Sequence, residues 1–484
     1  MNFCEFCGAR LGSGPYCGNC GRAVSGAQSE PVVADASVTQ PVDDPDATRV
    51  HEARSEGDAT RLHEQSLVDE AVPASRHPFG DIGVADYVRD AVALVLLIAS
   101  LSMPWDATGE AADRLHVVLV TLLAMASLTL PYLRRAGVLP DGWGNAEVRV
   151  ARVLANVPYF VVVALTIIID IAANGPVAGG VGVGVGIGLA GAVLAAQARA
   201  ADHDGHGQGR LWQTIAIGIA GVVVALTIVR LVVVLVRLGD TPSPDWGGVA
   251  MALLEPLIFL AVLLLPVVGV LARRSSARNV LVAVGVIGLV MAFWRMSDGS
   301  PLPTVLSMRD GGPMELLWLA VAAAISAAGV SRLMAPEPQL QTWVGTAVRG
   351  LGLAAVLSGG AALFWIAVVT AFDVARGTSI TVLILLLLAV VTAVVGQSAV
   401  RNNARQGRAV AIAASAMLIL LATVDLAVET AGTIGLFAVS ALVISGLIVM
   451  AGLVVLALTA PKPVRDELGP LGVGDGPFGS QPRT

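Results

Sequence analysis

From Asp86 onward, long apolar stretches follow one another with only short polar breaks, and no other feature of the 484-residue chain restricts its fold as strongly. Twelve of them centre on 87–104, 115–133, 153–173, 177–197, 211–236, 248–272, 279–296, 314–333, 350–372, 379–400, 409–428 and 432–459. At about 1.5 Å per residue, such stretches match the roughly 30 Å of hydrocarbon in a bilayer. Lipid offers the backbone no hydrogen-bond partners, so each segment must be helical. Composition agrees: 55% of residues are hydrophobic, only 14% are charged and the mean hydropathy is +0.77. A soluble protein carries about a quarter charged residues. The expected fold class is therefore an all-α integral membrane protein of about twelve transmembrane helices.

Arginine placement predicts the orientation. With the N-terminus inside, inner loops receive Arg134, Arg135, Arg149, Arg152, Arg199, Arg210, Arg273, Arg274, Arg278, Arg332, Arg349, Arg401, Arg405 and Arg408, with Lys462 and Arg465 in the tail. Outer loops receive only Arg114, Arg237, Arg295, Arg309 and Arg376. Sixteen basic residues against five is a strong positive-inside bias that requires an even number of spans. Both termini are then cytoplasmic. Lys462 is the only lysine, the net charge is −6, and no long basic run exists, so nucleic acid is not an expected partner.

Four regions follow: a cysteine module (1–24), an acidic tether (25–82), the membrane domain (83–462) and a Gly- and Pro-containing tail (463–484). Met1 runs into the cysteines without an apolar h-region, so a cleaved signal peptide is not expected. The tether has one aromatic residue, Phe79, and too little apolar surface to offset its chain entropy, so it is expected to be disordered, as is the tail. Within the tether, Asp46-Ala-Thr-Arg-Val-His-Glu52 returns as Asp58-Ala-Thr-Arg-Leu-His-Glu64. This is either a duplicated piece of solvated linker or a pair of phosphoacceptor sites at Thr48 and Thr60.

The cysteine module reads Phe3-Cys4-Glu5-Phe6-Cys7-Gly8 and then Tyr16-Cys17-Gly18-Asn19-Cys20-Gly21. Two Cys-x-x-Cys pairs nine residues apart supply four thiolates suited to tetrahedral zinc, with Cys4, Cys7, Cys17 and Cys20 as ligands. Four protein ligands close the shell, which leaves no place for a catalytic water. The module resembles the short zinc ribbons that head many bacterial membrane proteins, in which the knuckle often reads Cys-Pro-x-Cys-Gly; Glu5 and Gly18 replace that proline here. The whole chain resembles bacterial polytopic membrane proteins of uncharacterised function headed by such a Cys4 ribbon. That resemblance implies a metal-held mini-domain, not an activity.

Charged groups inside spans mark functional candidates. Arg230 and Glu255 lie at similar depth on consecutive spans, which predicts an intramembrane ion pair. Asp106, Asp170, Asp373 and Asp425 mark the outward ends of spans, Asp425 being followed by Glu429. They either mark an interface from which positive charge is excluded or line an outward vestibule. Glycines 179, 180, 182, 184, 186, 188 and 191 in the fourth span predict close helix packing. Asp170, Gln197, Arg199 and Gln208-Gly209-Arg210 are echoed by Asp373, Gln397, Arg401 and Gln406-Gly407-Arg408, which suggests two six-helix halves.

No His-Glu-x-x-His, Gly-x-Ser-x-Gly or phosphate-loop motif supplies a catalytic centre, so a non-enzymatic protein is expected. The ribbon and tether favour a membrane scaffold or signalling protein with a cytosolic docking partner. The alternative is a secondary transporter or channel with a 6+6 arrangement. A second alternative is a lipid-linked sugar transferase, suggested by Asp106, Glu110 and Asp113 in the first outer loop.

Overall fold

The computed structural model describes residues 82–173, 180–199, 207–240, 245–297, 305–308, 314–371, 376–431 and 437–469. The cysteine module, the repeat bearing Thr48 and Thr60, and Asp373 lie outside the described residues. Each expected apolar stretch holds one main helix: α1 (Val84–Leu101), α2 (Leu115–Arg135), α3 (Asn145–Ala172), α4 (Val183–Ala196), α5 (Gly207–Gly239), α6 (Trp246–Leu271), α7 (Ser275–Met296), α8 (Leu316–Ser326, followed in the same stretch by a single turn, Ala328–Ser331), α9 (Gln339–Ala371), α10 (Arg376–Asn402), α11 (Ala404–Ala431) and α12 (Ala438–Thr459).

Twelve helices are not twelve full-length apolar spans. Among the described residues nine are long and apolar enough to cross a membrane. The other three fall short for two physical reasons. α1 has 18 residues but carries Asp86, Arg89 and Asp90 in its first two turns. α4 and α8 have only 14 and 11 residues, about 21 and 16 Å of helix. Extended backbone precedes each of them, and the two extended pieces pair. β3 (Val181–Gly182) lies antiparallel to β4 (Val305–Leu306), with Val181 opposite Leu306 and Gly182 opposite Val305. Non-helical backbone at this depth is tolerated only inside protein, and Val181 and Gly182 are fully buried. A second short ladder, β1 (Pro104–Asp106) with β2 (Gly109–Glu110), closes the loop after α1.

The first residues of the expected tail are structured. Lys462–Leu468 is helical, Val464 is buried, and Arg408 Nη1 donates to Gly469 O at 2.6 Å.

Packing divides the helices into three successive sets of four: α1–α4, α5–α8 and α9–α12. In each set the first and third helices both pack against the fourth. One hydrogen bond recurs in all three. Near the start of the third helix, an arginine donates its Nε to a carbonyl at the end of the fourth: Arg152 to Ala195 (2.9 Å), Arg278 to Ile325 (2.9 Å) and Arg408 to Leu458 (2.8 Å). The last carbonyls of a helix have no intrahelical partner and carry partial negative charge, so a guanidinium answers both needs. These bonds gather arginines at one end of the domain, called here the arginine-rich end. Of the residues in the expected 6+6 echo, Asp373 lies outside the described residues, Gln197 and Gln397 each donate Nε2 to a backbone carbonyl, and the arginines differ. Arg199 is fully buried on Asp90 while Arg401 is exposed, and Arg210 is exposed while Arg408 is buried.

The outer faces are apolar. Leu154, Ile168, Ile169, Val236, Leu387 and Val391, on α3, α5 and α10, are all more than half exposed. A soluble protein does not expose that much continuous aliphatic surface; lipid tails are its natural solvent. α4 is the opposite case, since every one of its residues is buried. Its glycines make this possible. A side chain at Gly184 would meet the carbonyls of Ser100, Met103 and Pro104, and one at Gly186 would meet Leu316 of α8. Backbones therefore approach closely on two sides of α4.

Candidate functional site

Arg230 lies nine residues before the end of α5, and Glu255 nine residues after the start of α6. Helix rise puts both about 14 Å from the end of the domain remote from the arginine-rich one. Arg230 Nη2 donates to Glu255 Oε2 at 2.9 Å, with the side chains 15% and 25% exposed. Pro256, the next residue, cannot donate to the carbonyl of Ala252, so the α6 backbone ladder is interrupted beside the pair.

A second pair lies on the same cavity. Arg295, in the last turn of α7, donates Nε to Glu315 Oε1 at 2.8 Å, and both side chains are almost wholly buried. Glu315 is the N-cap residue of α8, and its carbonyl packs against Gly288 of α7, about 12 Å inside that helix's end. α8 thus begins inside the span of α7 rather than level with its end; the N–H groups of Leu317 and Trp318 bond the carbonyls of Met314 and Glu315, and the positive dipole end of α8 lies beside the two ion pairs. The cavity of about 20 Å³ between α5, α6, α7 and α8 is lined by Thr227, Arg230, Glu255, Arg295, Glu315 and Trp318 among others. It has room for one water molecule. The Trp318 indole N–H, fully buried, has no acceptor among the described residues. Two cations, two anions and the Trp318 indole N–H therefore belong to residues that line one buried cavity between four helices.

The expected outer-end acids go to separate tasks. Asp106 pairs with Arg114 at 2.7 Å and accepts from Thr108 N at 2.8 Å, while Glu110 and Asp113 form a capping box on the following turn. Asp170 accepts from Gly180 N (2.6 Å) and Met308 N (2.7 Å), clamping the backbone on both sides of the β3–β4 pairing. Asp425 is buried on α11 one turn before Glu429.

At the arginine-rich end is a further network. Asp90 Oδ2 accepts from Arg199 Nη2 (2.7 Å) and Tyr132 Oη (3.2 Å), and Arg152 Nη2 lies 3.7 Å from its other oxygen. The Arg199 guanidinium stacks over the Tyr132 ring, and Arg89 Nη1 donates to Ala198 O. Every part of this network belongs to the first set of helices or the segment just after α4, so it locks that set shut.

Sequence reasoning misses Arg295 with Glu315 and assigns Arg295 to an outer loop. The available signal is the run of apolar residues after Glu315, which is too short for a span. It also misses Asp90, because the three charges at the start of one short helix read as a boundary.

Among the described residues no three of His, Cys, Asp and Glu gather as a metal site. A family model described as a domain of unknown function (DUF7937) matches residues 86–467, the stretch from α1 to the final short helix. No curated protein matches, and no solved structure matches.

Proposed function

The chain belongs to the DUF7937 family, and from that premise we propose that it is a non-enzymatic secondary transporter of small charged solutes. The observation that carries the reading is the start of α8 inside the span of its neighbour α7, buried beside two ion pairs. Half-helices with buried N-termini, next to interrupted neighbours and balanced charges, are the usual construction of transporter binding sites. The small cavity corresponds to a closed state. Opening it exposes Arg230, Glu255, Arg295 and Glu315 to a solute that trades places with the internal partners. The purified chain, reconstituted in liposomes, is tested by electrical and tracer flux against a panel of inorganic ions, amino acids and small organic acids. Solute-dependent flux that is lost in Glu315→Gln supports the reading. No flux above empty liposomes, from a protein shown to be folded, overturns it.

The second reading is a scaffold or signalling protein, and the spacing of Cys4, Cys7, Cys17 and Cys20 favours it, because transport needs no cytosolic zinc ribbon. In this reading the ribbon and tether are docking elements on the cytoplasmic side of a bacterial inner membrane. The full-length protein should contain one zinc per chain and lose it on acidification, since thiolates must take up protons to release metal. A Cys4→Ser, Cys17→Ser double variant should contain little zinc; full stoichiometry in that variant removes the ribbon.

A further inference from the structure

Each four-helix set brings an acid to the N-terminal end of its fourth helix, and the three sets differ in what answers the charge. In every set the answer is sought about five helical turns along from the arginine that starts the third helix. In the first, Asp170, on the same helix as Arg152, takes the backbone N–H groups of Gly180 and Met308. In the second, Glu315 takes Arg295, which shares its helix with Arg278. In the third, Asp425 shares its helix with Arg408 and Glu429 follows one turn further, beside Ser440 in the first turn of α12.

Here nothing among the described residues supplies a counter-charge. The Ser440 hydroxyl, the one donor beside Glu429, makes no hydrogen bond of ordinary geometry, and neither Glu429 oxygen nor Asp425 Oδ1 has any other partner among the described residues, although all four atoms are buried. Asp425, Glu429 and Ser440 are 3%, 2% and 1% exposed. α12 carries no charged residue. α10, packed on the other side of α11, carries only Arg376 and Arg401, both exposed near its ends, and the remaining charges of α11 are Arg405 and Arg408 at the arginine-rich end. The other helices packed on α12 add none. α9 carries only Arg349 and the final short helix has its charges at the arginine-rich end, as does Arg278 of α7. Arg295 of α7 is held by Glu315, and Glu255 of α6 by Arg230. Two carboxylates one turn apart repel each other, and burying either one charged and unpaired is prohibitive. A proton is the smallest ligand that resolves both problems, because it neutralises one carboxyl and makes it a donor.

We propose that Asp425, Glu429 and Ser440 form a proton-binding site within the membrane domain. Glu429 lies two residues from the end of α11, less than one helical turn from the helix terminus. The site is separate from the Arg230–Glu315 cavity, and the inference stands whether or not that cavity moves a solute.

The test is site-mapped labelling of the full-length protein in lipid vesicles with dicyclohexylcarbodiimide, an apolar reagent selective for protonated carboxyls. The carboxyl oxygen bonds to the carbodiimide carbon, the proton passes to nitrogen, and an acyl shift leaves a stable N-acylurea detectable by peptide mass spectrometry. Glu429 should be modified, with a rate that falls about tenfold per pH unit above the midpoint of its titration. Glu255 and Glu315, each held by an arginine, should stay unmodified under the same conditions. Glu429→Gln should lose the modification, while Ser440→Ala should keep it with a shifted midpoint. Because the wild-type map is decisive alone, a variant that fails to fold costs nothing. An unmodified Glu429, a rate independent of pH, or protection by sodium at constant ionic strength overturns the proposal, the last in favour of a metal cation.

Discussion

Glu255 and Glu315 border the same cavity, yet their ion pairs differ in exposure: 15% and 25% for Arg230 and Glu255, 4% and 2% for Arg295 and Glu315. Breaking a fully buried pair leaves its partner charged and unsolvated, which costs about 3–5 kcal/mol. A partly wet pair loses closer to a charge-assisted hydrogen bond, about 1.5–3 kcal/mol. Glu315→Gln should therefore lower the unfolding free energy in detergent by more than Glu255→Gln. The reverse order would mean that Arg295 finds a substitute acceptor. For the wetter pair, the losses from Arg230→Leu and Glu255→Leu should not add in the double variant; simple additivity would show two independent charges. Of these four residues, Arg230 and Glu255 are legible from sequence because helix rise from adjoining ends gives them equal depth. Arg295 and Glu315 are not, because both stand at the edges of apolar runs and look like loop residues.

At the scale of elements, α4 is the clearest link between sequence and packing. Its glycines announce close approach, and the structure supplies the neighbours: α1 along Gly184 and Gly191, α3 at Gly188 and α8 at Gly186. An added methyl at Gly186 would overlap Leu316 Cβ, so Gly186→Ala should destabilise the protein by about 1–3 kcal/mol, the usual cost of overpacking. Gly218→Ala on α5, where nothing lies within 4 Å, should leave stability unchanged or slightly raised. Equal effects at the two positions, read by thermal unfolding, would contradict the tight α4–α8 contact. The length of α4 and α8 as helices is not legible, because both belong to longer apolar runs: the run of α4 begins with extended residues Val181 and Gly182, paired with Val305 and Leu306, and the run of α8 breaks at Ala327.

For the whole molecule, topology follows from where the fourth helices end. The bonds from Arg152 to Ala195 and from Arg278 to Ile325 bring the C-termini of α4 and α8 to the same end as the start of α3 and α7. Although short, α4 and α8 with their extended leaders thus return the chain to the arginine-rich end. Reporter fusions after Arg135, Arg274 and Arg405 should accordingly all read cytoplasmic, and a fusion at Gly377 should read external. An external reading after Arg274 would mean that the α4 segment does not traverse the membrane.

The sequence by itself determined the membrane environment, the helical class, the position of twelve helical stretches and the clustering of arginines toward one end. These properties are local: each depends on the apolar length of a segment or the charge of the loop beside it. Tertiary structure alone decided that two stretches are half-helices, that the helices group in fours rather than sixes, and which buried charges meet. Asp90 with Arg199, Asp170 with Met308 and Arg295 with Glu315 join residues separated by 109, 138 and 20 positions. Pairing at such separations is settled by which helices pack together, because only a specific neighbour can satisfy a charge or a backbone N–H that lipid cannot.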